Sequence, residues 1–216
     1  MREKQDPFFL ESNYGVDPDE VDMLTNNAWT ATGSTRLTAG SDTGFVRLGN
    51  FILSTPSTAP EFLPGVSSQL DISNFTDYFV TQIHYQNGDW LTWDWFFIKA
   101  NNTYIWREQE EGSLWRYGLW DLDFGLGGQG NVINDNFIEM TRTPLIPVEH
   151  NRIFDRLLDN PEYQNYFINR YADMLNTTFQ PARMQDILMD MRDSIVAEMP
   201  RHFAQWGPPS TIVFLR

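Results

Sequence analysis

Asp121 and Asp123 stand two residues apart in LWDLDFGLGG, between a run of large apolar residues and a run of glycines. A second polar pair, Asn101 and Asn102, precedes the strand-forming run TYIWRE. A turn around Glu111-Gly112 joins that run to LWRYGLW as an antiparallel hairpin. With those two residues as the loop, Tyr104 faces Leu119, Trp106 faces Tyr117 and Asn102 lies beside Asp121. Two amides and two carboxylates then converge at the open end of the hairpin. Such an oxygen-only set suits Mg²⁺, Mn²⁺ or Ca²⁺. The same register opposes Arg107 to Arg116, an unfavourable like-charge pair. Either the register differs by one residue or the arginines meet an anion.

Asp-Phe-Gly with an upstream Asn also fits phosphoryl transfer, where those two side chains hold the metal ions bridging ATP phosphates. Gly125 after Phe124 then lets the backbone turn with positive φ. That chemistry needs a further carboxylate to accept the proton of a substrate hydroxyl. The stretch NGDWLTWDWFFIKANN offers Asp89 and Asp94, neither followed by Asn at the five-residue offset of the usual catalytic loop. Against this stands the plainer account that Asp, Asn and Gly after a strand are turn formers.

Several elements must hold these residues in place. DPDEVDMLTNN reads as a short helix with Asp17 as N-cap and Pro18 at its first position. GFVRLGNFILS reads as a strand followed by a short helix, and STPSTAPEFLPG as a loop. Phe75, Phe79 and Ile83 recur at helical spacing and predict one buried stripe. The last third is helical. Ile153, Phe154, Leu157 and Leu158 mark one helix, and Asn160-Pro161 opens a second with Phe167, Tyr171 and Met174. Pro181 opens a third, with Met184, Leu188, Met191 and Ile195 as its apolar stripe. No repeat or linker divides the chain, and one domain is expected.

Composition narrows the classes. Of 216 residues, 41% are hydrophobic and 15% aromatic, which is core-forming material. A net charge of −14 disfavours nucleic acid and anionic membranes as partners. No apolar run approaches the length of a membrane span. The absence of cysteine removes disulfides, thiol catalysis and thiolate metal sites together. His84, His150 and His202 lack metal-ligand spacing and read as structural. Eight tryptophans raise a carbohydrate-stacking alternative, but several alternate along the hairpin, where packing accounts for them.

Taken together, the motifs resemble the CotH kinase family of atypical, protein kinase-like proteins named for a spore-coat protein. REKQDPFFLESNYGVDPDEVDML, NGDW, NNTYIWR, WRYGLWDLDFGLGG, LLDNPEYQNYFINRYADMLNTTF and RHFAQW carry the resemblance along nearly the whole chain. It implies an α+β, kinase-like C-terminal lobe whose hairpin bears the metal site against several helices. Residues 1–70 form a mixed, loop-rich segment, 71–136 the catalytic and metal-site region, and 137–216 the helical region. By resemblance, Asp123 is the metal-binding Asp, Asp121 its neighbour, and Asn101 or Asn102 completes the shell. Asp89 is the catalytic carboxylate, with Asp94 as rival because WLTWDWFFIKA lengthens the segment between Asp89 and Asn101.

The resemblance further implies Mg²⁺ or Mn²⁺ and ATP as cofactors and phosphorylation of Ser/Thr hydroxyls on a coat or cell-surface protein. The expected location is extracytoplasmic. Lys4 and Lys99 are the only lysines available to pair phosphates, and neither stands in a strand of an upper lobe. An incomplete domain is therefore expected. The alternative is a non-catalytic surface or spore-coat module that keeps the fold and the cation site.

Overall fold

A computed structural model describes residues 4–26, 36–91, 101–127, 136–144 and 148–207. Its architecture is α+β, and the chain divides into two compact units, Met1–Arg170 and Tyr171–Arg216. In the first unit, β1 (Val21–Asn26), β2 (Arg36–Ala39), β3 (Thr103–Glu108) and β4 (Arg116–Gly118) form an antiparallel sheet in the order β2-β1-β3-β4.

The segment expected to be a helix from Asp17 is instead a turn leading into β1. The Asp17 side chain accepts from Asp19 N–H at 3.0 Å, and the Asp17 carbonyl accepts from Glu20 N–H at 3.1 Å. Burial then decides the strand, for Val21, Asp22, Met23 and Leu24 are all buried. Val21 and Met23 are buried in one cluster with Leu10, Val16, Tyr104 and Trp106. Leu10 comes from α1 (Pro7–Tyr14), which Asp6 caps by accepting from Phe9 N–H.

The hairpin is present with its register one residue from expectation. Tyr104 pairs with Gly118, Ile105 with Tyr117 and Trp106 with Arg116. The slip separates Arg107 from Arg116 and places each guanidinium over an indole, Arg107 on Trp115 at 5.0 Å and Arg116 on Trp106 at 5.5 Å. Gly118 is required opposite Tyr104, whose ring fills the space a Cβ would take. Arg107 also forks onto the buried Asp22 carboxylate, with Nε at 2.8 Å and Nη2 at 2.7 Å.

GFVRLGNFILS is one continuous helix, α2 (Thr43–Ser54), because Phe45, Leu48 and Ile52 share a buried face. The following loop contains α3 (Phe62–Ser67). The expected stripe lies on α4 (Ile72–His84), capped by Asp71, with Phe75 and Phe79 wholly buried. Phe79 stacks on Phe154 at 4.6 Å and meets Trp90 edge-on at 5.2 Å. Asn74 of α4 fastens the helix to the sheet, donating to Tyr117 C=O at 3.1 Å and accepting from Tyr117 N–H at 2.6 Å.

Phe154 belongs to α6 (Glu149–Leu158), which follows α5 (Phe137–Arg142). Asn151 of α6 accepts from Val148 N–H and donates to the carbonyls of Thr141 and Leu91. α7 (Pro161–Asn176) is capped by Asn160, as its Asn-Pro start predicts. In the second unit, α8 (Pro181–Ile195) and α9 (Met199–Trp206) bury no residue. The Leu188, Met191 and Ile195 stripe is exposed there rather than packed. Trp90, Trp106 and Trp115 are buried, so these three pack and present no sugar-binding face. No helix among the described residues is long and apolar enough to cross a membrane.

Candidate active site

Two loops meet at the open end of the hairpin. One, residues 85–91, leaves the C-terminus of α4; the other, residues 119–127, leaves β4. They are joined by Leu126 N–H to Tyr85 C=O at 2.6 Å and by Gly88 N–H to Phe124 C=O at 3.5 Å. Gly125 is needed for this approach, since a Cβ there would lie 2.9 Å from the Tyr85 carbonyl oxygen and 3.0 Å from that of Leu122. Its φ is not positive, contrary to the expected turn. Left-handed backbone falls on Asp121 (φ 53°), Leu126 (φ 51°) and Gly127 (φ 85°) instead.

The non-glycine residues with positive φ among those described are Gln86, Asn102, Asp121 and Leu126, and all four belong to these loops or to the Asn pair. Residues in that region cost of order 1–3 kcal/mol each and persist where surrounding contacts over-determine them. Here the contacts are specific. Asn101 Nδ2 donates to Asp89 Oδ1 at 2.8 Å, and Asn102 Nδ2 donates to Asp89 Oδ2 at 3.0 Å and to Asp89 C=O at 3.2 Å. Both carboxylate oxygens of Asp89 are thereby clamped by the residues that lead into β3. Next to it, Trp90 is wholly buried and donates its indole N–H to Tyr78 Oη at 2.8 Å. Burial pushes the Tyr78 phenol up to about 12, so it remains a neutral partner.

Asn87 was not expected as a site residue. It is wholly buried and accepts from Asp89 N–H at 3.2 Å. Its Nδ2 donates to Gln82 Oε1 at 2.9 Å and to Asp121 C=O at 3.3 Å. The sequence shows an Asn in NGDW, but its bond to Asp121 becomes visible only once the two loops are known to touch.

The side-chain amides of the Asn pair therefore bond to Asp89, a pairing the hairpin register alone did not indicate. Asp121 is half-buried with Oδ1 sealed from solvent, whereas Asp123 is exposed. Asp94 lies outside the described residues. Among the described residues, no three His, Asp or Glu side chains are gathered in metal-binding geometry. The residues expected to hold a cation are Asp121, Asp123 and Asn102. They supply hard oxygen atoms, and that chemistry fits Mg²⁺ or Mn²⁺.

A cleft of about 240 Å³ opens beside the Asn pair, lined by Lys4, Gln5, Thr25, Asn101, Asn102 and Trp120. Lys4 is exposed, its ammonium 3.5 Å from the Asp6 carboxylate, and the residue lines this cleft. Of the histidines, His150 is buried against Tyr117, its Nδ1 lying 2.8 Å from Tyr117 Oη.

A search of curated proteins returned no match to the chain. The sequence profile of one family, described as CotH kinase protein, matches residues 12–212, a span containing both loops, the Asn pair and every helix from α2 to α9. On that match the chain belongs to the CotH kinase family, a kinase-like family of the spore coat.

Proposed function

We propose that the chain carries the catalytic face of a CotH-type protein kinase, with the architecture of a kinase-like C-terminal lobe. The reaction is transfer of the γ-phosphoryl group of ATP to a Ser or Thr hydroxyl on a coat or cell-surface protein, outside the cytoplasm. The observation that carries this reading is the Asp89 carboxylate, held at both oxygens by Asn101 and Asn102 beside the Asp121 loop. A carboxylate so fixed keeps lone pairs for an incoming hydroxyl, and its orientation is set before substrate arrives.

Asp89 orients the acceptor hydroxyl and takes its proton as the hydroxyl oxygen bonds to the γ-phosphorus. The bond from that phosphorus to the β,γ-bridging oxygen breaks, and ADP leaves. Asp121 and Asp123, with Asn102, would hold the divalent cation. Bound there, Mg²⁺ or Mn²⁺ neutralises charge on the ATP phosphates. Lys4, on the adjoining cleft, is positioned to add positive charge beside the nucleotide.

The test pairs transfer with binding in wild type, Asp89→Asn, Asp94→Asn and Asp123→Asn. Phosphate transfer is followed with radiolabelled ATP and cation binding by Mn²⁺ calorimetry. Asp89→Asn is expected to lose transfer while keeping Mn²⁺ affinity, and Asp123→Asn to lose both. Loss of transfer in Asp94→Asn but not Asp89→Asn would exchange the two roles. Mn²⁺ binding with no measurable affinity for ATP in wild type would favour a non-catalytic coat module.

A further inference from the structure

We propose that Asn87 is the positioning residue of this site: one buried amide that holds the Asp89 segment and the Asp121 segment in fixed relation. What those segments do rests on the phosphotransferase reading above; the mechanical coupling does not.

The amide has a determined sense. Asp89 N–H can only donate, so Oδ1 faces it; Gln82 Oε1 and Asp121 C=O accept, so Nδ2 faces them. Asp89 and Asp121 main chain thus lie on either side of one planar group, and neither shifts without breaking a bond to it. Gln82 sits in the last turn of α4, the helix that carries the aromatic core, so the bridge is anchored to a rigid element. Gln86, at φ 51°, turns the chain just before Asn87, and Asn87 N–H bonds to Gln82 C=O at 3.2 Å. The bonds from Leu126 N–H to Tyr85 C=O and from Gly88 N–H to Phe124 C=O are backbone contacts at half-buried or exposed residues, whereas Asn87 is wholly buried.

No other side chain supplies this arrangement. Aspartate would set a carboxylate oxygen against two acceptors in a buried place, glutamine would add a methylene, and alanine would leave Asp89 N–H and Asp121 C=O without their bridge. The consequence for chemistry is that the proton acceptor and the cation ligand keep their separation whatever the rest of either loop does.

The test uses the full chain as wild type, Asn87→Ala, Asn87→Asp and Gln82→Met, read by amide hydrogen exchange resolved by residue, with Mn²⁺ calorimetry alongside. Both Asn87 variants are expected to speed exchange tenfold or more in residues 88–90 and 122–126 together, with α4 and α6 unchanged. Their Mn²⁺ affinity is expected to fall at least fivefold. Gln82→Met breaks the anchor but keeps the bridge, and is expected to alter both loops less than threefold.

Faster exchange at 88–90 with wild-type rates at 122–126 would overturn the proposal, as would loss of protection throughout the chain in both Asn87 variants. In an active wild type, the Asn87 variants are expected to lower kcat while the KM for the acceptor stays within twofold. If wild type binds neither Mn²⁺ nor ATP, the kinase reading falls, and the exchange pattern still decides the role of Asn87.

Discussion

His150 makes the stability of this fold depend on pH in a window where carboxylates contribute little. The ring is wholly buried in the first turn of α6, between Phe45 and Tyr117, with their ring centroids each 5.5 Å away. Burial lowers its pKa from 6.5 to about 3, and a helix N-terminus also disfavours positive charge. The folded chain therefore keeps the ring neutral while the unfolded chain binds a proton below pH 6.5. Stability from this residue is fully present above the unfolded value and declines as pH falls toward the folded one. Between pH 7.5 and 5.5 the loss is about 1.4 kcal/mol, equivalent to a fall of about 3–6 °C in Tm for a chain of this size. Burial of His84 lowers its pKa in the same direction, so the measurement is made in a His84→Gln background. Urea unfolding followed by tryptophan fluorescence at the two pH values, with and without His150→Asn, isolates the effect. Asparagine keeps an acceptor near Tyr117 Oη but has no proton to gain. Equal pH dependence in the two proteins would refute the argument, because His150 would then titrate in the folded state.

Two further outcomes follow from packing. Arg107→Ala leaves the Asp22 carboxylate buried without its fork and is expected to cost about 3–5 kcal/mol in urea unfolding; Arg107→Lys, which keeps charge but loses the fork and the Trp115 stack, is expected to cost about 1–3 kcal/mol. Gly125→Ala presses a methyl group against the carbonyl oxygens of Tyr85 and Leu122 and is expected to cost about 1–3 kcal/mol, with weaker Mn²⁺ binding measured by calorimetry.

What the sequence shows of this molecule divides by the range of the interactions involved. The α4 stripe and the Asn160 cap are local patterns that stand where periodicity and turn chemistry predict them, and the hairpin forms one residue out of the expected register. The strand at Val21 carried a misleading signal: Asp-Pro-Asp resembles a helix start, but the burial of Val21 and Met23 against Tyr104 and Trp106 outweighs it. Gly49 masked α2, since a glycine between apolar runs reads as a break although it sits in open space on the helix. The expected turn forms, with Glu111-Gly112 between Glu110 and Ser113, closed at 3.2 Å with Gly112 at φ 84°. Ladder pairing begins only at Trp106–Arg116, and its register is one residue from the one that turn alone implies. At the site, residue types were legible and pairings were not. Asn101 and Asn102 are marked by sequence, yet their attachment to Asp89 spans 12 and 13 residues, and Asn87 reaches Asp121 across 34.

The bonds between Asn74 and Tyr117 have a consequence for how the sheet meets other chains. A sheet's outermost strand ordinarily displays unpaired N–H and C=O groups, a template on which foreign strands add. On β4 and the residue before it that template is already filled: Asn74 occupies both groups of Tyr117, while Gln69 C=O and Asp71 N–H occupy those of Trp115. The helix and the turn before it act as a fifth strand built from one side chain and two peptide groups. The edge nearest the aromatic core is thus closed to the strand addition that begins domain swapping and aggregation, and Asn74 is its gatekeeper.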